Sequence, residues 1–263
     1  MTASGVHGSS TAGGATWLVD LDGVVWLAGE PIPGSAEAVG LLRRSGVRVV
    51  FATNNAAPTI AELLARLDKA GIEADRADLI TSAQAAASML EPGTTAFPCA
   101  QGGVVEALTE RGVTVVESAP ADAVVVGWTT QFDFALLADT ATLVRQGARF
   151  IGTNEDATHP TPERLLPGSG AILAAVATAA QATPEVAGKP HAPMVELVRR
   201  RTDGVAMTVG DRPSTDGELA RALGTPFALV RTGVTRDGRE PIVVQPDEDA
   251  PDLLTLVTHL LGS

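Results

Sequence analysis

Apolar Trp17, Leu18, Val19 and Leu21 follow a stretch of Gly, Ser, Thr and Ala, and they predict a first strand over 16–21. Pro31-Ile32-Pro33-Gly34 breaks the chain, and residues 35–45 then read as a helix with Val39 and Leu42 inward and Gly46 as its stop. VRVVFAT predicts a second strand over 47–53. Thr59 and Glu62 form a capping box for a second helix, whose Ile60, Leu63, Leu64 and Leu67 share one side. Strand, helix, strand, helix is how a doubly wound parallel sheet of the α/β class begins.

The rhythm changes after a helix over 82–90. Short strands are predicted at 94–97, 113–116, 123–126 and 149–151, with helices at 102–110 and 134–146 between them. A Pro- and Gly-rich loop at 158–170 leads into an Ala-rich helix ending near Gln181. Beyond Gly188-Lys189-Pro190 the first rhythm returns, with a helix at 192–201, a strand at 205–209, a helix at 214–223 and a strand at 227–230. The expected organisation is a flexible tail over 1–15, a Rossmann-like core over 16–83, an inserted α/β domain over 84–187, and the rest of the core over 188–263.

Composition narrows the function classes. With 45% hydrophobic residues among 263, the chain can bury a sizeable core. A formal charge of −12 argues against a nucleic-acid surface, which needs clustered positive charge. The single cysteine, Cys99, excludes an internal disulfide. No apolar run is long enough for a membrane span, and residues 1–15 lack a signal peptide's basic and apolar regions, so a cytoplasmic protein is expected. The first strand is followed by acids where a dinucleotide-binding chain carries GxGxxG.

Those acids are Asp20 and Asp22, in Asp20-Leu21-Asp22-Gly23-Val24. On an extended strand end, two carboxylates two positions apart share a face and repel, which suggests a cation such as Mg²⁺. Gly23 lets the backbone turn and present amides to an anion.

This segment resembles motif I of the haloacid dehalogenase (HAD) superfamily. Thr53-Asn54-Asn55 resembles motif II, Lys189 motif III, and Gly210-Asp211-Arg212-Pro213-Ser214-Thr215-Asp216 motif IV, all in the family's order. The insertion resembles a C2 cap. DLDGVVW with TNN points to subfamily IIA, the nitrophenyl, phosphoglycolate, glycerol-phosphate and nucleotide phosphatases.

The resemblance implies a Mg²⁺-dependent phosphatase that forms an aspartyl phosphate on Asp20. Asp22 is then the general acid and base, with its backbone carbonyl on the metal. Thr53, Asn54, Asn55, Lys189 and the backbone of Leu21 and Gly23 hold the phosphoryl group. Asp20 and Asp211 bind the metal directly, and Asp216 supports a metal-bound water or orients Lys189. The departures from the family's pattern are Ala56 after TNN, Glu155 in TNED, and Ser214 and Gly217 in and after motif IV.

The cap segment Thr153-Asn154-Glu155-Asp156 with Pro167-Gly168-Ser169-Gly170 resembles the part that faces the site, and implicates Asn154 in substrate binding. Trp128, His159, Glu163 and Arg164 are candidates for the pocket, and His191 for its rim. The expected partner is a small phosphorylated metabolite such as glycerol phosphate or phosphoglycolate, and caps of this kind can support a homodimer. The alternatives are a phosphotransferase of the same fold and a non-catalytic phosphate-binding or regulatory protein.

Overall fold

A computed structural model describes residues 14–160, 164–235 and 241–262. The expected tail thus lies almost wholly outside the described residues, and Glu163 lies outside them too.

Alternation along the first strands builds the core in two layers. The chain runs β1 (Thr16–Val19), a small hairpin β2 (Trp26–Leu27) and β3 (Glu30–Pro31), α1 (Ser35–Arg44), β4 (Arg48–Thr53), α2 (Ile60–Lys69), β5 (Leu79–Thr81) and α3 (Ser82–Ser88). Trp17, Val19, Val49 and Phe51 face one side, where α1 contributes Val39 and Leu42 and α2 contributes Leu63 and Leu67. Leu18 and Val50 face the other, packing with the alanines of α3. Both faces of a parallel sheet are covered in this way. The expected capping box of α2 is present, with Thr59 accepting from the Glu62 backbone and Glu62 from that of Thr59.

A second layer follows from β6 (Thr95–Cys99), α4 (Gly102–Glu110), β7 (Thr114–Val115), β8 (Ala123–Val126), α5 (Phe134–Arg145), β9 (Arg149–Gly152), β10 (Thr158–Pro160), β11 (Leu165–Pro167), α6 (Ser169–Ala180) and β12 (Glu185–Val186). The chain then returns through α7 (Ala192–Arg201), β13 (Met207–Gly210), α8 (Glu218–Leu223), β14 (Phe227–Val230), β15 (Glu248–Ala250) and α9 (Leu253–Gly262).

Two all-parallel sheets result, in the orders β15-β14-β13-β1-β4-β5 and β12-β9-β8-β6-β7. The second is inserted between β5 and β13. On it, Phe97, Val124, Val126 and Phe150 face α5 and α6. Ala96, Ala123, Val125 and Ile151 share one buried cluster with Leu18 and Val50 of the first sheet. Helix α3, with Ala83, Ala85, Ala86 and Ala87 buried, packs on both α4 and α7 and joins the two layers. Small side chains let it approach a helix on each side.

Several elements differ from the sequence pattern. β1 stops at Val19, because the Leu21 carbonyl accepts from the amides of Val24, Val25 and Trp26 and turns the chain. The loop expected at 158–170 contains the antiparallel pair β10–β11. The helix expected at 214–223 opens as a wider π turn over Pro213–Gly217 before α8. β5, β12, β15 and α9 carry too short or too polar a signature, or lie beyond the clear rhythm.

Candidate active site

The first sheet's strand order puts β1 at its centre, with β13 on one side and β4 on the other. Ligands of open α/β sheets collect beyond the C-terminal ends of such strands. Val19 lies beside both Val209 and Phe51, so the residues just after β1, β4 and β13 meet at one edge. Among the described residues singled out for the site, all but Leu21, Arg164 and His191 line a single cleft there, which the second layer closes with Trp128, Asp156 and His159. Leu21 is fully buried behind it.

Lys189 is the hub. Its side chain is buried, and Nζ donates to Asp20 Oδ1 and Asp216 Oδ1, each at 2.6 Å, and to the Ala52 carbonyl at 3.0 Å. Burial alone would push the ammonium's pKa down, but the two carboxylates outweigh it and hold the pKa above its ordinary value. Asn54 fixes the lysine's backbone: its Oδ1 accepts from the Lys189 amide at 2.7 Å and its Nδ2 donates to the Lys189 carbonyl at 3.2 Å. That side chain, expected to meet a phosphoryl group, is thus engaged in placing the residue that carries the charge.

Asp20, Asp211 and Asp216 bring carboxylate oxygens within 4.8 Å of one another, all buried. Burial raises the Asp20 pKa well above the usual carboxylate range, with Lys189 opposing and the other acids adding to the rise. Asp211 is pushed up to about 7, first by burial and then by Asp216. Its Oδ2 accepts from the Val234 amide at 2.6 Å. Asp216 Oδ2 accepts from the Arg212 amide at 3.1 Å, so this residue both shapes the π turn and orients Lys189.

Three buried carboxylates facing one ammonium leave excess negative charge, and all the donors are hard oxygens. That donor set fits magnesium. The Asp22 carboxylate stands apart from the cluster, accepting from Trp26 Nε1 at 3.0 Å and from Thr53 Oγ1 at 3.4 Å. Expected to share a face with Asp20 on an extended strand, it instead sits in the turn after β1. It remains half-buried on the cleft wall, where proton transfer has room.

The remaining candidates divide between cleft and framework. Thr53 Oγ1 accepts from the Asn55 amide at 2.9 Å, and Asn55 Oδ1 from the Ala57 amide at 3.2 Å, a turn that holds both at the edge. The Gly23 amide donates to the Trp26 carbonyl at 2.6 Å, so the donor expected there is paired within the turn. Asn154 joins the layers, with Nδ2 donating to the Asn54 carbonyl at 2.6 Å. The Trp128 and His159 rings meet at a tilt of 37° with centroids 4.9 Å apart, and Trp128 Nε1 donates to the Pro167 carbonyl. His191 stands at the N-terminal boundary of α7 and its Nε2 meets Glu155 at 2.9 Å, outside the residues that line the cleft.

Sequence reasoning missed Trp26, Ser82 and the 231–235 segment. Ser82 Oγ donates to the Asn54 carbonyl at 2.6 Å. Gly233 lets its chain pass so close to Asp211 that a Cβ there would lie 1.8 Å from Oδ2. A glycine just past a core strand was the available signal.

Two family models match the chain: a haloacid dehalogenase-like hydrolase model over residues 17–114 and a HAD-hydrolase-like model over 186–256. The D-glycerol 3-phosphate phosphatase of Mycobacterium tuberculosis is 40% identical over 225 residues, covering 82% of this chain and 63% of that protein. The chain belongs to the haloacid dehalogenase-like hydrolases. An acid sugar phosphatase of Staphylococcus saprophyticus is 33% identical over 254 residues, covering 93% of this chain and 97% of its own. The crystal structure of a glycerol phosphate phosphatase from M. tuberculosis in complex with magnesium superposes with a TM-score of 0.84 at 35% identity, covering 92% of this chain and 77% of that one. The chain thus spans less than two thirds of the length of the first of these relatives. Its fold is the family's Rossmann-like core with an inserted cap, and its buried acid cluster could hold a metal ion such as the magnesium of the M. tuberculosis structure.

Two predictions follow from the packing of the acids. A Cβ on Gly210 would lie 2.2 Å from Asp216 Cγ, so Gly210→Ala must push that carboxylate off Lys189. Phosphatase activity is expected to fall by about tenfold or more, with Mg²⁺ affinity reduced in an isothermal titration. Unchanged affinity and rate would show that Asp216 has no such role.

The second concerns pH. Asp211 ionises near the ordinary carboxylate value of about 3.9 when unfolded, and at about 7 in the folded, metal-free protein. The folded state therefore binds more protons between these values, and this contribution to stability is lost as pH rises through about 7. In EDTA, thermal unfolding should place wild type nearest to Asp211→Asn below about pH 4, and progressively further below it as pH rises to 7.5. A difference that does not change with pH would contradict the assignment.

Proposed function

We propose that the chain hydrolyses small phosphate monoesters, glycerol phosphate foremost, with Asp20 as nucleophile. What supports this reading is the buried set of Asp20, Asp211 and Asp216 around Lys189, with Asp22 beside it on the cleft wall.

An Asp20 carboxylate oxygen attacks phosphorus, and the bond from phosphorus to the ester oxygen breaks. Asp22 acts as the general acid that delivers a proton to the departing alkoxide. The same carboxylate then takes a proton from water, whose oxygen attacks the phosphorus of the Asp20 acyl phosphate. Phosphate leaves, and Asp20 returns as a carboxylate. Lys189 holds the Asp20 oxygen at 2.6 Å and places a full positive charge where the phosphoryl oxygens gather. Thr53 lies within reach of Asp22 and the cleft, where its hydroxyl can donate to a phosphoryl oxygen. Asp20 and Asp211, with Asp216 in support, would hold magnesium. When bound, the metal supplies charge that offsets the repulsion between the attacking carboxylate and the phosphoryl group.

The relatives' names favour a three-carbon or sugar ester: the M. tuberculosis protein is a glycerol phosphate phosphatase and the staphylococcal one an acid sugar phosphatase. Among the described residues no helix is long and apolar enough to cross a membrane. A doubly charged metabolite is retained by the membrane, which favours a cytoplasmic site of action. Phe134 on α5, 83% exposed, offers an apolar contact for a second copy.

The test is phosphate release from a panel that includes glycerol phosphates, phosphoglycolate, sugar phosphates, nucleoside monophosphates and p-nitrophenyl phosphate. Glycerol phosphate should head the rank order in kcat/KM. A nucleotide at its head would overturn the substrate assignment.

A further inference from the structure

A second opening shares no residue with the acid cleft. It is a cavity of about 460 Å³ lined from three helices: Gln84 and Ser88 of α3, Glu110 at the end of α4 with Arg111 after it, and Arg200 and Arg201 of α7. Sites for small molecules measure about 300–1,000 Å³. Helix α4 belongs to the inserted layer and α7 to the first, so the cavity sits where the layers meet.

The chain carries a formal charge of −12, yet three guanidinium groups line this cavity against the single carboxylate of Glu110. Arg76, outside the lining, already pairs with Glu110 and reaches Glu106 at 3.5 Å. Arg111 Nε donates to the Leu90 carbonyl at 2.9 Å, and its Nη2 lies 3.7 Å from the exposed Glu91. Arg201 Nη1 donates to the Leu79 carbonyl at 2.9 Å. Arg200 is exposed and makes no hydrogen bond or ion pair among the described residues. All three helices end here. A helix C-terminus carries about half a negative charge, so the ends together offset only about half of the guanidinium charge. The crowding of cations is felt at Arg201, whose pKa is lowered by burial and then by Arg76 and Arg200, with Glu110 opposing.

We propose that this cavity is a second anion site, in which Arg111, Arg200 and Arg201 hold the phosphate group of a small molecule. A guanidinium presents paired N–H donors that match two phosphate oxygens. Gln84 adds a donor, because its Oε1 accepts from the Thr81 amide at 3.1 Å and leaves Nε2 for a ligand. Ala107 and Leu197 give the lining an apolar strip for an organic body. An occupant held by Arg111 on one side and by Arg200 and Arg201 on the other ties the inserted layer to the first.

The experiment is isothermal titration of wild type, Arg200→Ser, Arg200→Lys and Arg111→Gln in excess Mg²⁺. The probes are inorganic phosphate and adenosine 5′-(α,β-methylene)diphosphate, whose bridging carbon resists hydrolysis. Binding in the acid cleft is common to all four proteins and cancels in the comparison. Arg200→Ser and Arg111→Gln should each weaken the second site about tenfold, the scale of one charged hydrogen bond, and Arg200→Lys less. Turnover of p-nitrophenyl phosphate should stay at the wild-type rate in all of them. Tighter binding of the nucleotide than of phosphate would assign the site to organic phosphates, and equal binding to the free anion. Identical isotherms for wild type and both neutral variants would overturn the proposal and leave the arginines as partners of the helix ends. A fall in turnover matching the fall in binding would place the lost anion in the acid cleft and overturn it too. The isotherms are readable whether or not the chain hydrolyses an ester, so this test stands apart from that of the phosphatase reading.

Discussion

Asp20→Asn is expected to lower kcat/KM by about 1,000-fold or more while leaving the protein folded. The amide keeps the shape and can still accept from Lys189 Nζ, which lies 2.6 Å from Oδ1 in the wild type. It cannot form the acyl phosphate, so the two-step route is closed. Stability should move the other way from activity. Burial raises the Asp20 pKa well above the usual carboxylate range, so ionising it in the metal-free protein carries a cost that Asn avoids. In EDTA at pH 7.5 the variant should unfold at the wild-type temperature or above it, and added Mg²⁺ should stabilise it less. Retention of turnover would remove Asp20 from the nucleophile's place, and unfolding at a clearly lower temperature would contradict the electrostatic account.

Lys189→Met should also abolish activity, with the opposite effect on stability. Methionine fills nearly the same space, but leaves Asp20 and Asp216 without the ammonium that bridges them at 2.6 Å each. Removing one partner of a buried charge pair costs about 3–5 kcal/mol. Urea denaturation in EDTA should show a loss of that order at pH 7.5, and a smaller one near pH 5, where protons relieve the carboxylates. The rate should fall about 100-fold or more, the scale for losing one group that stabilises developing charge. A variant as stable as wild type at both pH values would mean that the acid cluster is neutralised by other means.

The contrast between these variants explains what was legible in the sequence. Asp20, Lys189 and Asp211 were readable because each stands next to a strand end or a connector, in the family's order, and the fold brings such ends together. The α/β class was readable because short continuous apolar strands, buried on both faces, alternate with helices of period 3.6. Where Asp22 points was not readable. Its carboxylate is set by Trp26 four residues on and by Thr53 on another strand, a tertiary choice that overrides strand alternation.

Asp156 shows the same limit at longer range. The Thr153-Asn154-Glu155-Asp156 pattern put it on the side that faces the site, but its partners, Asn54 from 102 positions away and Arg212 from 56, were not readable locally. The β10–β11 pair was hidden by prolines and glycines that read as loop, and the π turn by the Asp216 side chain that draws back the Arg212 amide. Asn54 was found, but its role in clamping the Lys189 backbone depended on a contact across 135 positions.

The central claim is that phosphate passes through Asp20 in a magnesium-dependent reaction. The most direct test is to quench wild-type protein with acid during turnover of glycerol phosphate, digest it and weigh the peptide that carries Asp20. With Mg²⁺ present, that peptide should gain the mass of one phosphoryl group, located on Asp20; in EDTA it should not. Steady phosphate release with no phosphoryl group on Asp20, or with one on a different residue, would contradict the account.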